Sequence, residues 1–354
     1  MGCFGSKSSK EVQSAGLKTN LIAANYIKLI ETPSSWDQII MKPLQQSPPK
    51  TSLKRISQSL PEDLKDLNFP IFSRSQEALK DSLFHIFHHR NYPSAKILSL
   101  IEIIAANYQQ NPFHNFYHGF AVCQLLYVIS ERNLNFKDFL TESDEKLLLL
   151  SGLGHDLNHP GVNNMFLINS KHELSCKYNN LGVLENYHAA TLVEFLSQDR
   201  FDIGISDDDR EKIVQIILAT DMAQHKSVME TFAENMKVYD ITNKEHRLIF
   251  MRMLIHGADI SNPALDFELA TIWSLKIIQE FNLQVWKEEQ LAIPVSEFMR
   301  IGNDIAKIKR SQIMFIDVFI YPLWKSISDF VPGTQELIEN IQKNRKHWED
   351  LENL

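Results

Sequence analysis

The stretch "LLLLSGLGHDLNHPG" (residues 147–161) decides how this chain is read. Four consecutive leucines are too apolar for an exposed surface, and a helical run ending in Pro160 suits a buried helix that stops there. Three ionisable side chains, His155, Asp156 and His159, close the run within five positions. Burying such groups without partners is costly, so other parts of the chain must supply partners for them.

Outward from this stretch, most of the chain carries the same helical pattern. "AKILSLIEIIAANY" (95–108) is apolar almost all round, and "HGFAVCQLLYVIS" (118–130) repeats apolar residues three and four apart. "REKIVQIILAT" (210–220), "EHRLIFMRMLIHGAD" (245–259) and "NDIAKIKRSQIMFIDVFIYPLW" (303–324) continue it. Alternating segments joined by Asn-Gly or Asp-Gly turns are absent, and no internal repeat stands out. The expectation is one all-α domain over 62–350.

Residues 1–61 differ. "PLQQSPPKTSLKRISQSLP" (43–61) holds four prolines and five serines or threonines, the composition of a linker, and 17–40 could hold a short amphipathic helix. The net charge of −8 hides an asymmetry: residues 1–60 contain eight Lys or Arg against three Asp or Glu, so this arm carries +5 and the rest −13. An acidic body argues against nucleic acid, and a basic arm suits an anionic surface. Hydrophobic residues make up 44% of the chain, ample for a core, yet no apolar run reaches 18 residues. Cys3, Cys123 and Cys176 form no CxxC pair, which excludes a cysteine zinc motif and suits a reducing compartment.

Four stretches carry candidate metal ligands. "NPFHNFYHGF" gives His114 and His118, which share a face if helical; "GLGHDLNHPG" gives His155, Asp156 and His159; "VLENYH" gives Glu185 and His188; "HGADISNP" gives Asp259. A single histidine on a helix is ordinarily structural. Two HxxxH spacings, an HD pair and a further Asp at a helix end together point to a metal centre. Imidazole with carboxylate suits zinc or another first-row ion, and carboxylate with water suits magnesium or manganese.

"FHNFYH", "HDLNHPGVNN", "LENYH", "ATDM", "HGADISNP" and "RSQIMF" stand in the order found in class I cyclic nucleotide phosphodiesterases, and the resemblance runs from about residue 70 to 350. It looks most like the cAMP-type members. The resemblance implies an all-helical HD-type fold of three helical subdomains with the site at their junction. It implies that His114 is the general acid, and that His118, His155, Asp156 and Asp259 hold zinc. Asp156 would bridge to a second ion, magnesium or manganese, bound mostly through water. His159 and Glu185 would orient those waters, and His188 would be structural. Gln312 and Phe315 would recognise and stack on the purine, with Ile277 opposite and Asn262 near the base. Three departures concern the pocket. Ala270 stands where a hydrogen-bonding residue often holds the glutamine, which leaves Gln312 free to turn toward adenine or guanine. Phe113 replaces a common Tyr, and "EFNLQVWKEEQ" (280–290) lacks a Gly-Asp pair. Rival readings are another HD-type phosphohydrolase and a lipid-anchored scaffold that binds cyclic nucleotide without turnover.

The arm adds two expectations. "MGCFGSK" (1–7) fits a myristoylation signal at Gly2, with Cys3 a palmitoylation candidate and Lys7 and Lys10 near the surface, which would place the protein on the cytoplasmic face of a membrane. "KRIS" puts Lys54 and Arg55 before Ser57, a site for a basophilic kinase.

Overall fold

A computed structural model describes residues 44–47, 61–133 and 135–351; Gly2, Cys3 and Ser57 lie outside these. The described residues form α-helices and short tighter turns, with no strand. In chain order the α-helices are α1 (Gln76–His89), α2 (Ser94–Asn107), α3 (Phe116–Arg132), α4 (Glu142–Gly154), α5 (Asn164–Asn169), α6 (Glu173–Lys177), α7 (Val183–Leu196), α8 (Asp207–Leu218), α9 (His225–Asn235), α10 (Lys244–Asp259), α11 (Phe267–Gln290), α12 (Ile305–Phe315), α13 (Tyr321–Phe330) and α14 (Gln335–Asp350). A π-helical stretch, Ile316–Ile320, joins α12 to α13. None of the described helices is long and apolar enough to cross a membrane.

The four leucines 147–150 lie on α4 and are all buried, as their lack of any polar face requires. Thr141 and Asp144 start this helix with reciprocal side-chain-to-backbone bonds, and Asp144 also takes a 2.6 Å bond from buried Arg247 Nε on α10. The helix does not run on to Pro160. It ends at Gly154, because Asn158 adopts a left-handed conformation (φ +62°) and residues 155–158 form a turn. His155 and Asp156 therefore sit on a sharp corner rather than on a helical surface.

Helices α3 and α4 cross closely. A Cβ on Gly119 would lie 2.9 Å from the Leu153 carbonyl oxygen, and one on Gly152 would lie 2.8 Å from Leu126 Cδ1. Glycine at 119 is required by that backbone contact, while at 152 a larger residue would displace Leu126; the close approach carries His118 against His155. One continuous apolar core joins these helices to α10, α11, α13 and α14, and a smaller cluster around Phe166 and Leu167 underlies the 162–184 segment.

On α11 a buried polar stripe runs at every fourth residue: Glu280, Gln284 and Glu288. Gln284 Oε1 accepts from Asn163 N (2.8 Å) and its Nε2 donates to Asn163 Oδ1 (2.9 Å); Glu288 Oε2 accepts from Ser296 N (2.7 Å). The stripe pins loops on both sides of α11. Asn344 on α14 donates to the carbonyls of Pro263 (2.9 Å) and Leu265 (2.7 Å), fixing the turn that follows Asp259.

Four residues of the expected linker lie against this domain. Leu44 packs on the core, and buried Asn107 holds the Gln45 main chain in both directions, accepting from its N–H (2.7 Å) and donating to its carbonyl (3.1 Å).

Candidate active site

Three separate helix ends meet at one point. His118 lies in the first turn of α3, His155 and Asp156 follow α4, and Asp259 is the last residue of α10. His118 Nε2 lies 3.2 Å from His155 Nε2, 3.3 Å from Asp156 Oδ2 and 3.0 Å from Asp259 Oδ1. His155 Nε2 lies 3.3 Å from Asp156 Oδ2 and 3.1 Å from Asp259 Oδ1. A tetrahedral ion with bonds of about 2.0–2.1 Å sets its donors roughly 3.3–3.4 Å apart, and an octahedral ion of the same bond length about 3.0 Å apart. The observed edges fall in that range.

The proton arrangement also suits a cation. His155 Nδ1 faces the Gly152 carbonyl at 2.9 Å, so it carries the hydrogen and Nε2 offers its lone pair to the cluster. Burial would push both carboxyls up, but the neighbouring imidazoles, His155 foremost, hold Asp156 and Asp259 below the usual carboxylate range. Two buried carboxylates facing two imidazoles demand positive charge, which a divalent ion supplies. His118, His155, Asp156 and Asp259 fit a metal.

His114 is not on the helix with His118. Asn115 caps α3, its Oδ1 accepting from Tyr117 N at 2.9 Å, so His114 belongs to the preceding loop. Glu280 holds it there. Glu280 Oε2 accepts the main-chain N–H groups of Phe113 (3.0 Å) and His114 (3.1 Å), while Oε1 takes the His114 Nδ1 proton in a short hydrogen bond. Burial pulls the imidazolium down, but Glu280 and then Asp156 outweigh it and raise His114 to about 9. Glu280, conversely, is pushed up by burial and brought down to about 2 chiefly by His114. His114 Nε2 is thereby turned toward Asp156 Oδ2, 4.0 Å away.

His159 stacks on His114 with ring centroids 4.0 Å apart, and its Nδ1 accepts from Gly161 N at 3.0 Å. Burial first, then the His114 charge, keeps His159 neutral. Asn111 ties the two together by donating to the carbonyls of His114 (2.8 Å) and His159 (2.7 Å). His188 bonds the Leu157 carbonyl through Nδ1 (2.7 Å), and its Nε2 stands 3.7 Å from Asp156 Oδ1. Glu185 lies outside the donor groups; burial and then Asp221 raise it to about 7, and Asn164 Nδ2 bonds its Oε2 at 2.9 Å.

In the expected base pocket, Gln312 on α12 is buried and Phe315 and Ile277 are half-buried. The glutamine is not free to turn. Ser274 Oγ, one helical turn from Ala270, sits 2.7 Å from Gln312 Oε1 and 2.7 Å from the Ala270 carbonyl. The hydrogen bond once assigned to a side chain at 270 is made by Ser274, with Ala270 contributing its backbone oxygen. Asn262 opens the turn Asn262–Ala264 and lines a cavity of about 20 Å³ with Phe69 and Trp273; Gln312, Phe315 and Ile277 do not line it.

Glu280 and Ser274 were missed in the sequence. Their signal was burial on a largely apolar helix: Glu280 stands in line with Trp273, Ile277 and Gln284, and Ser274 one turn from Ala270 and Ile278.

Residues 113–341 match the sequence profile of the family described as 3′5′-cyclic nucleotide phosphodiesterase. The chain is 35% identical over 318 residues to "3′,5′-cyclic-nucleotide phosphodiesterase regA" of Dictyostelium discoideum, covering 85% of this chain and 39% of that one. It is 32% identical over 255 residues to "High affinity cGMP-specific 3′,5′-cyclic phosphodiesterase 9A" of Mus musculus, covering 70% and 47%. The chain thus spans less than half the length of these relatives. The solved phosphodiesterase domain of a rhodopsin fusion protein from Salpingoeca rosetta superposes with a TM-score of 0.76 at 30% identity, covering 81% of this chain and 95% of that one. The matched profile covers more than half of the chain, which belongs to the 3′,5′-cyclic nucleotide phosphodiesterase family.

Proposed function

We propose that this chain hydrolyses 3′,5′-cyclic nucleotides to nucleoside 5′-monophosphates. The observation that carries the reading is the Glu280–His114 pair set beside the four-donor cluster. His118, His155, Asp156 and Asp259 would hold zinc, and Asp156 would also serve a second ion, magnesium or manganese. When bound, such ions neutralise phosphate charge and make water a nucleophile near neutral pH. His159 and Glu185 would orient metal-bound water.

The chain's own part in the reaction is proton delivery. Glu280 occupies His114 Nδ1, so the proton available to substrate is on Nε2. Water adds to phosphorus, the P–O3′ bond breaks, and His114 gives that proton to the leaving 3′ oxygen. Cations at the cluster would offset Asp156 and Asp259, which help raise His114, and so bring its pKa down from about 9 toward neutrality.

For the base we propose adenine over guanine. Ser274 Oγ lies 2.7 Å from Gln312 Oε1 and donates to it, which leaves the amide nitrogen for the pocket. A donor there can serve N1 of adenine. The preference itself rests on Asn262, whose side chain would accept from the adenine amino group. Phe315 and Ile277 would sandwich the ring, with Asn262 nearby.

We further place the protein at the cytoplasmic face of a membrane through acyl groups on Gly2 and Cys3 and the basic arm, with Ser57 as a kinase site. The test of the reaction is incubation of the purified chain with cAMP, cGMP and dGTP, with and without chelator. Chelator-sensitive release of 5′-AMP is expected; no turnover of either cyclic nucleotide with divalent ions present would leave the non-catalytic scaffold.

A further inference from the structure

We infer that Ser47 is a phosphorylation site for a proline-directed serine/threonine kinase, and that Arg200 receives its phosphate. The inference is independent of the proposed hydrolysis. "SPPK" (47–50) places a proline directly after the serine and a lysine three positions after it, the pattern such kinases read. A following proline also favours an extended backbone at Ser47, the form in which a kinase takes its substrate.

The structure adds a receiver. The Asn107 amide holds the Gln45 main chain at both its N–H and its carbonyl, which fixes where Ser47 lies. Gln46 Nε2 reaches Glu194 Oε1 at 3.5 Å. Ser47 Oγ then accepts from Arg200 Nη1 at 3.2 Å. Arg200 is preset for this role. Its Nε and Nη2 both bond Gln198 Oε1 (3.0 and 2.6 Å), and its guanidinium lies 4.6 Å from the Phe201 ring centre. Of five N–H groups, three are used by Gln198 and Ser47, which leaves donors for a doubly charged oxyanion. The other charged groups here are Lys96, bonded to the Asp199 carbonyl, and the carboxylates of Asp199 and Glu194.

Ser47 is exposed, and release of its bond to Arg200 can present it to a kinase. In the transfer, Ser47 Oγ attacks the γ-phosphorus of ATP, the new P–O bond forms, the bond to ADP breaks, and the hydroxyl proton passes to the kinase's base. On re-docking, the phosphate replaces a 3.2 Å bond from Arg200 to a neutral hydroxyl with an ion pair. The arm is thereby tied more firmly to the domain.

The experiment treats the folded full chain with a proline-directed kinase and ATP, maps phosphate by mass spectrometry, and follows it by ³¹P NMR titration. Phosphate is expected on Ser47 and absent from Ser47→Ala. Its second pKa, ordinarily about 6, is expected about half a unit lower, the size of a surface ion pair. Arg200→Gln should restore the ordinary value, while Arg200→Lys, which keeps the charge, should keep it lowered; circular dichroism checks that both remain folded. By linkage, the same half unit strengthens docking about threefold, slowing proteolysis within 48–60 by that factor. An unmodified Ser47, including phosphate only at Thr51 or Ser57, overturns the site. A phosphate that titrates alike in the parent chain and in Arg200→Gln overturns the receiver.

Discussion

Glu280 clamps His114 at three points: both main-chain N–H groups that enter the loop, at 3.0 and 3.1 Å, and the imidazole itself. The imidazole proposed as the general acid is thus fixed in position and in tautomer by one carboxylate 166 residues away.

This relationship sets a pH prediction. A general acid works while protonated, so activity falls as pH rises through the His114 pKa. Glu280 raises that pKa, and Glu280→Gln removes its charge. The alkaline limb of the kcat/KM profile should move to lower pH, and kcat at neutral pH should fall by about 10- to 100-fold, part of the usual worth of general acid catalysis. An unmoved alkaline limb would assign it to another group.

The cluster and the acid should separate experimentally. Asp156→Asn and Asp259→Asn should each lose hydrolysis and bound metal together. His114→Ala should lose about 10²- to 10⁴-fold in turnover and keep its metal. Metal analysis beside kinetics decides this; near-normal turnover in Asp259→Asn would sink the metal-site reading.

Ser274→Ala should release the Gln312 amide. The kcat/KM for cAMP should fall by about 5- to 10-fold, the value of one oriented hydrogen bond of about 1 kcal/mol or a little more. A parent chain that turns over cGMP as well as cAMP would refute the adenine preference itself.

Gly2→Ala should shift the full chain from the membrane pellet to the soluble fraction, because a single acyl chain binds at only about 10⁴ M⁻¹ and the second signal depends on it. Cys3→Ser should weaken binding and leave the myristate in place. Retention of Gly2→Ala in the pellet removes the anchor.

What could be read from the sequence follows the range of each interaction. The helices and the donors His118, His155, Asp156 and Asp259 stand out, because helical period and short motifs are local signals. The α4 end was misplaced because Pro160 is conspicuous, whereas the left-handed Asn158 is not. His114 looked helical by spacing until Asn115 proved to be the cap. Glu280, Ser274 and Asn107 were passed over because each acts on a partner far away in sequence or, for Ser274, on a neighbouring helix. Their only local trace is a polar residue where the apolar face should be.

The Asn344 bonds to Pro263 and Leu265 have a consequence for synthesis. On the ribosome the four donors emerge in the order 118, 155, 156 and 259, and the carboxylate that orients His114 follows at 280. The amide that fixes the turn beyond Asp259 emerges last, some eighty residues after that aspartate. A nascent chain halted before α14 already carries every donor and His114, yet it lacks the two Asn344 bonds that brace the turn after Asp259. Metal affinity should therefore reach its full value only late in translation, so a stalled fragment would hold an ion less tightly.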